Sequence, residues 1–301
     1  MLVILMCPAI VLADQSLQTG NTVSADQLMS KSEEAAKTQN ICKFTEKTET
    51  RVNNSMKPSW GDTENYSDFV FETRETIKQG QPSIQYEVVK ETTPSIYGDL
   101  QNYEINYEKM QNSEGTFVKS TVGIWVKTDD QTEDEKMEAV GINGELAKKS
   151  ISYRREKDAK RAGKDCWVVS YQANPELFKP LIEGMVKQNL SEVQSDNTMG
   201  KDYWQQIAKN TKVVATGKSW IDKTTGLEVY EESQFTMKYD VNITVPDSGG
   251  NTIRYSFTMQ ETSKKDYYDW GIPAVLPDIS KAVSPDKYDR ILENLNNASK
   301  A

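Results

Sequence analysis

The sequence predicts a mainly β protein with helices, an α+β fold whose body is a large antiparallel sheet. Three observations carry this expectation. Phe235, Met237, Tyr239, Val241, Ile243 and Val245 fall on every second position, with Thr236, Lys238, Asp240, Asn242 and Thr244 between them. Successive strand side chains point to opposite faces, so this is a strand with one greasy and one wet face. A turn by composition, Pro246-Asp247-Ser248-Gly249-Gly250-Asn251, leads to renewed alternation at Ile253, Tyr255, Phe257 and Met259, which makes a hairpin. Short alternating runs separated by turn residues also recur through the first half of the chain, the pattern of an all-β body. Helical spacing is confined to a few stretches.

In chain order, Ser24 is placed to cap a helix over 25–40 through Leu28, Met29, Ala35 and Ala36. Residues 41–52 read as a strand, broken by Pro58-Ser59-Trp60-Gly61-Asp62. Strands follow at 66–77, 83–91, 100–110 and 115–127, the last with Val118, Val122, Ile124 and Val126 on one parity. An acidic loop over 129–135 leads to a weaker strand at 137–142. Asn143-Gly144 is a tight-turn pair feeding a basic, edge-like strand over 145–155. Ala162-Gly163-Lys164 turns into 166–171. Asn174-Pro175-Glu176 then opens an amphipathic helix over 177–193, and a short one follows with Tyr203, Trp204, Ile207 and Ala208 on a face. Strand returns at 212–222 and 227–230 before the hairpin. Residues 267–273 are irregular and aromatic, and Ser284-Pro285 begins a last helix. No hinge-like linker interrupts the series, which reads as one domain over 41–283, a helical extension over 14–40 and a terminal helix over 284–301.

The chain has 301 residues, a net charge of −9, 37% hydrophobic and 27% charged residues. That balance suits a thin sheet wet on one face. Net acidity argues against a nucleic-acid partner, whose binding rests on Lys and Arg neutralising phosphates. Residues 1–13 are uncharged and apolar apart from Cys7 and Pro8, with small residues before a polar Asp14-Gln15-Ser16. They read as a secretory signal cleaved after Ala13, with Cys7 as a lipid anchor the alternative. Export then predicts a periplasmic or envelope location. It leaves Cys42 and Cys166, either bridged or as two buried thiols.

No histidine occurs, which excludes imidazole triads, histidine metal sites and imidazole acid–base work. Thr216-Gly217-Lys218-Ser219 has the tail of a phosphate loop, but Lys212 stands where the upstream glycine belongs. The acidic run Asp129, Asp130, Glu133, Asp134, Glu135 lacks calcium-loop spacing. The expectation is a protein without catalytic residues, metal or cofactor.

One family resemblance stands beside this reading. Gly217-Lys218-Ser219-Trp220-Ile221-Asp222-Lys223-Thr224-Thr225-Gly226-Leu227 resembles the Trp-x-Asp-x-x-Thr-Gly-Leu hairpin of the periplasmic lipoprotein-carrier superfamily, which includes mycobacterial lipoproteins. Ala162-Gly163-Lys164-Asp165-Cys166-Trp167-Val168-Val169 is similar to that family's Gly-Lys strand, and Asp266-Tyr267-Tyr268-Asp269-Trp270-Gly271-Ile272-Pro273 to its Tyr-x-Asp-x-Gly-x-Pro ending. The resemblance covers roughly residues 115–277 and departs from the family in two helices between its first two motifs. It implies a large curved antiparallel half-barrel closed by helices, sheltering a lipid or lipoprotein acyl chain, with a membrane delivery partner. Expected cavity residues come from the alternating strands: Tyr86 and Val88; Ile105; Trp125; Trp220; Phe235, Met237, Tyr239 and Val241; Tyr255 and Phe257. The long helix adds Phe178, Ile182 and Met185. The alternative is an envelope structural or interaction protein with a fully packed core and no ligand.

Overall fold

A computed structural model describes residues 23–80, 84–93, 103–128, 150–193, 197–246 and 249–298. The expected signal, Cys7, the acidic loop, the strand at 137–142 and the Asn143-Gly144 turn lie outside them. The helices are α1 (Ala25–Thr38), α2 (Lys179–Glu192, preceded by a 3-10 turn over Pro175–Phe178), α3 (Thr198–Asn210) and α4 (Pro285–Ala298). The strands are β1 (Ile41–Pro58), β2 (Glu64–Gln79), β3 (Ile84–Thr93), β4 (Tyr103–Asn112), β5 (Gly115–Lys119), β6 (Trp125–Thr128), β7 (Ile151–Arg155), β8 (Ala159–Arg161), β9 (Lys164–Ala173), β10 (Lys212–Asp222), β11 (Glu228–Thr244) and β12 (Thr252–Tyr268).

All twelve strands form one antiparallel sheet in the order β6-β5-β4-β3-β2-β1-β12-β11-β10-β9-β7, with β8 beside β9. The sheet does not close, so the molecule is a half-barrel of the α+β class with helices laid on it. The longest ladders, β1 with β2 and β12 and β11 with β12, make the centre. Capping starts the first helix as expected: Ser24 Oγ accepts from the Gln27 amide, and the Gln27 side chain returns the bond to the Ser24 amide.

The register separates two faces. On the inner face α2 and α3 pack over Ala173, Val213, Ala215, Val241 and Ile243, and α1 packs over Val169 and Ile221. On the outer face Met110, Phe117 and Trp125 are covered by Leu276, Ile279 and Ala282 from the chain before α4.

The strand expected over 115–127 is two strands, β5 and β6. Ser120 accepts from the Gly123 amide through its carbonyl and from the Ile124 amide through Oγ, while its own amide bonds to the Ile124 carbonyl. Gly123 takes a φ of 82°, which a side chain resists. Val118 and Val126 still share a face, paired across the two strands, but Val122 sits exposed in the turn. The strands expected at 227–230 and from 235 onward are one strand, β11. No disulfide joins Cys42 and Cys166. Cys42 lies in β1 and Cys166 in β9, four strands apart in the sheet. At about 4.8 Å per strand that separation exceeds the reach of a disulfide, whose Cα atoms stand within roughly 7 Å.

The three motifs of the family resemblance meet at one corner of the sheet. Asp222 Oδ1 accepts from the Thr224 amide and closes the β10–β11 turn, and Lys164 Nζ lies 3.3 Å from its Oδ2. Trp270 Nε1 donates to the Glu228 carbonyl at 3.0 Å. These residues build turns and strand ends, not a cavity. Gly217 serves packing of the same kind: a Cβ there would stand 2.3 Å from the Tyr171 ring and 2.7 Å from the Glu232 carbonyl oxygen. The backbone oxygen cannot withdraw without breaking the β10–β11 ladder. Gly217→Ala is therefore expected to lower stability by about 3 kcal/mol or more in chemical denaturation, at the upper end of overpacking costs.

Candidate functional site

The inner face is not uniformly apolar. Toward one end of β11 and β12 it carries Phe235, Met237, Tyr239, Val241 and Ile243 opposite Ile253, Tyr255, Phe257 and Met259. Toward the other end the same face turns polar. Glu46, Thr48 and Thr50 of β1, Glu72, Arg74 and Thr76 of β2, Glu87 of β3, Glu231 of β11 and Glu261, Ser263 and Lys265 of β12 are all buried there.

This polar half is densely bonded. Arg74 donates to Glu72 Oε1 at 2.8 Å and to Glu87 Oε1 at 3.2 Å. Lys265 Nζ lies 3.5 Å from Glu46 and 3.7 Å from Glu231. Tyr171 Oη donates to Glu231 at 2.6 Å, and Ser263 Oγ to Glu46 at 2.5 Å. Five buried glutamates thus face two buried cations. Glu46 Oε2 is buried without a hydrogen-bond partner. Burial, with the nearby Glu46 and Glu72 charges, pushes Glu261 up to about 7, against the weaker opposing bond from Thr50. Burial likewise raises Glu72, opposed by Arg74. Excess negative charge in a low-dielectric space is relieved by protonation.

The apolar half is partly filled by helices and partly open. Phe178, Ile182, Val241 and Ile243 are buried, Val241 completely, and form ordinary core with Val186 and Ile207. Met185, Phe235 and Met237 pack half-buried against that cluster. Beyond them lies a cleft of about 450 Å³ lined by Met56, Tyr66, Tyr203, Tyr239, Tyr255 and Phe257, and by Asn54 and Glu64. Tyr239 stacks on Phe257 with ring centroids 4.9 Å apart, and Tyr203 meets Tyr255 edge-on at 5.4 Å. The hydroxyls of Tyr203 and Tyr239 are 3.2 Å apart.

The cleft exists because β11 outruns β10. Their ladder ends at Lys212↔Lys238, which among the described residues leaves the β11 edge beyond without a strand partner. Unpaired backbone groups demand replacement. Gln206 of α3 bonds both the Asn242 amide and carbonyl, at 3.0 and 2.7 Å, and Asn210 bonds the Asp240 carbonyl at 2.9 Å. This strapping fixes Tyr203 above the aromatic strands.

Of the residues expected from sequence, Tyr239, Tyr255 and Phe257 line the cleft. Phe235, Met237, Val241, Phe178, Ile182 and Met185 make the floor and plug beside it. Tyr86, Val88, Trp125 and Trp220 lie on the outer face. Tyr86 and Trp125 belong to the cluster under the 276–282 segment; Trp220 meets Tyr230 at 4.9 Å. Ile105 has inner-face parity and is exposed. Sequence reasoning missed Met56, because Asn53-Asn54-Ser55 masked the last third of β1, and it placed Tyr66 at the start of an expected strand without assigning it to the site. It placed Tyr203 on a helix face without assigning it to the site. Among the described residues, no group of three His, Cys, Asp or Glu side chains is arranged to hold a metal ion.

No protein-family model and no curated protein matches the chain. Among solved structures, the lipoprotein LppX of Mycobacterium tuberculosis aligns with 83% of this chain and 96% of its own, at 12% identity and a TM-score of 0.41. LprF from Mycobacterium bovis aligns over 85% and 96%, at 12% identity and 0.36. The LolA superfamily protein NE2245 from Nitrosomonas europaea aligns over 87% and 99%, at 9% identity and 0.20. These overlaps are long and the superpositions loose.

The raised Glu261 carboxyl makes stability depend on pH. Its folded value of about 7 lies above the unfolded value, so the stability linked to its neutral form is full below about pH 4.5. That stability is lost as pH rises through 7, by about 3 kcal/mol at 1.36 kcal/mol per unit. Denaturation midpoints measured from pH 5 to 8 are expected to fall, and Glu261→Gln to remove part of the fall, because burial raises Glu72 as well and Glu228 to about 8.

Proposed function

We propose that this protein is a non-enzymatic binding protein that holds an acyl chain, of a lipid or of a lipoprotein, in the cleft between α3 and the ends of β1, β11 and β12. The observation that carries the reading is the aromatic cleft itself. Its volume of about 450 Å³ falls within the range of small-molecule sites, ~300–1,000 Å³. Its lining brings one methionine and five aromatic side chains together with Asn54 and Glu64, and the aromatic surfaces gain free energy by leaving water at about 25 cal/mol per Å². Nothing on these walls activates a nucleophile. The tyrosine hydroxyls offer an amphiphile's polar end a hydrogen bond without competing for its chain.

Export to the periplasm or envelope, and delivery of the bound chain to or from a membrane, follow from the same reading together with residues 1–13. A second reading is supported by the completely buried Val241 and the tight cluster around it: a protein whose helices fill the inner face and whose cleft is incidental. Extraction of the purified protein with organic solvent, followed by mass spectrometry, separates the two. A fluorescent fatty-acid titration adds the residue test. Phe257→Asp and Tyr255→Asp are expected to weaken probe affinity by about tenfold or more, since each places a charge among apolar walls. Tyr86→Ser, on the outer face, is expected to leave affinity unchanged. A lipid-free protein that ignores the probe supports the packed-core reading.

A further inference from the structure

The outer face carries a second cavity, larger than the aromatic cleft and chemically its opposite. It is a groove of about 740 Å³ running across β7, β9, β10, β11 and β12. The register resolves its lining into two neighbouring rows. One row is Arg154, Ser170, Lys218, Glu232 and Lys264; the other is Ser152, Gln172, Thr216, Gln234 and Thr262. The backbone between them, at Tyr171, Gly217 and Ser233, is the floor. At about 4.8 Å per strand the rows span roughly 19 Å.

The first row is cationic in an acidic chain. Arg154 already grips Glu156, which Ser170 Oγ also bonds at 2.8 Å. Lys218 and Lys264 are exposed, and among the described residues neither enters an ion pair within 4 Å. Lys264 also stands directly opposite Lys47 of β1, and the row continues through Thr73 to Lys90. Like charges directly opposite in a ladder are destabilising. Glu232, directly opposite both Lys218 and Lys264, offsets this in part, and an anion laid along the row would relieve the remainder.

The second row is hydroxyl and amide throughout. These groups both donate and accept, which matches a ligand rich in hydroxyls rather than a bare polyanion. Neither row presents an aromatic side chain as a stacking platform. The groove is open along its length, so it fits an extended chain.

We infer that this groove binds an anionic polysaccharide, with Lys218 and Lys264 on its acidic groups and the Gln172–Gln234 row on its hydroxyls. The site lies on the face opposite the acyl-chain cleft and is independent of it.

The test is calorimetric titration of the whole protein with oligogalacturonate and oligomannuronate, against maltohexaose as the neutral control. At least one acidic oligomer is expected to bind, at least tenfold more tightly than maltohexaose, and to weaken as salt is raised. Lys218→Glu with Lys264→Glu is expected to lower affinity about tenfold or more. Gln172→Ala with Gln234→Ala is expected to lower it severalfold without changing the salt dependence. All four side chains are exposed; the melting temperature is expected to stay put in the glutamine variant and to fall in the lysine variant, which sets two glutamates opposite Glu232, so affinities are compared well below both transitions. Failure to bind either acidic oligomer overturns the inference, as does unchanged affinity in the lysine variant. Equal or tighter binding of inorganic polyphosphate, or of phosphatidylglycerol vesicles, overturns it too, because the hydroxyl and amide row would then be idle.

Discussion

The register of β11 against β12, continued from β12 into β1, is the constraint on which the molecule depends. Side chains alternate along a strand, so a slip of one residue would exchange the two faces. A slip of β12 would turn Tyr255 and Phe257 out of the cleft and carry Lys264 into the interior; a slip of β11 would turn out Tyr239. The hairpin is specified twice over. At one end Val241 and Ile243 are locked under α2 and α3; at the other Glu46, Glu231 and Lys265 meet across three strands. A slipped ladder would break the apolar packing and strand the charges together.

The polar half of the inner face explains why a sheet of this size leaves room where it does. Helices need apolar stripes to pack on. α2 and α3 cover the end of β9–β12 that offers one, and α1 covers a separate small patch at Val169 and Ile221. Beside them the face bears glutamates, threonines, Arg74 and Lys265, which bond one another and the strand tyrosines Tyr171 and Tyr267. Buried ion pairs of this kind seldom add stability over apolar packing.

Much of the fold was legible. The capping box at Ser24, the proline-led start of the 3-10 turn and α2, and the alternation in β11 and β12 are local signals, and each element formed where its signal lies. What misled was treating apolar parity as a guide to one shared interior. Tyr86 and Trp125 alternate as cleanly as Tyr239 and Tyr255, yet they face outward because a segment without helix or strand, 276–282, supplies a second small core on that side. Alternation tells which residues share a face; it does not tell which face will be covered, or by what. The charged half of the interior was hidden for the reverse reason. Thr48, Thr50, Glu72 and Arg74 look like a solvated stripe, and their burial is a long-range property that no local pattern records. The cysteines show the same limit: strand-like surroundings place both in the sheet but say nothing of the strands between them.

The family-like motifs and the cleft sit at opposite ends of the sheet, and that separation is instructive about where function resides. Asp222, Lys164 and Trp270 are spent on turns and strand ends, a scaffold role that short motifs can record because their partners lie close in sequence or register. The cleft is assembled from β1, β2, β11, β12 and α3, residues with no common motif. Its position follows from the length difference between β10 and β11. Two strands more equal in length would pair to their ends, Gln206 and Asn210 would have no free edge to strap, and α3 would have no reason to hold Tyr203 over the aromatic strands. A shape likeness to other half-barrels therefore says little about what this one binds. The determinant is local: how far one strand outruns its neighbour, and which side chains the uncovered stretch presents.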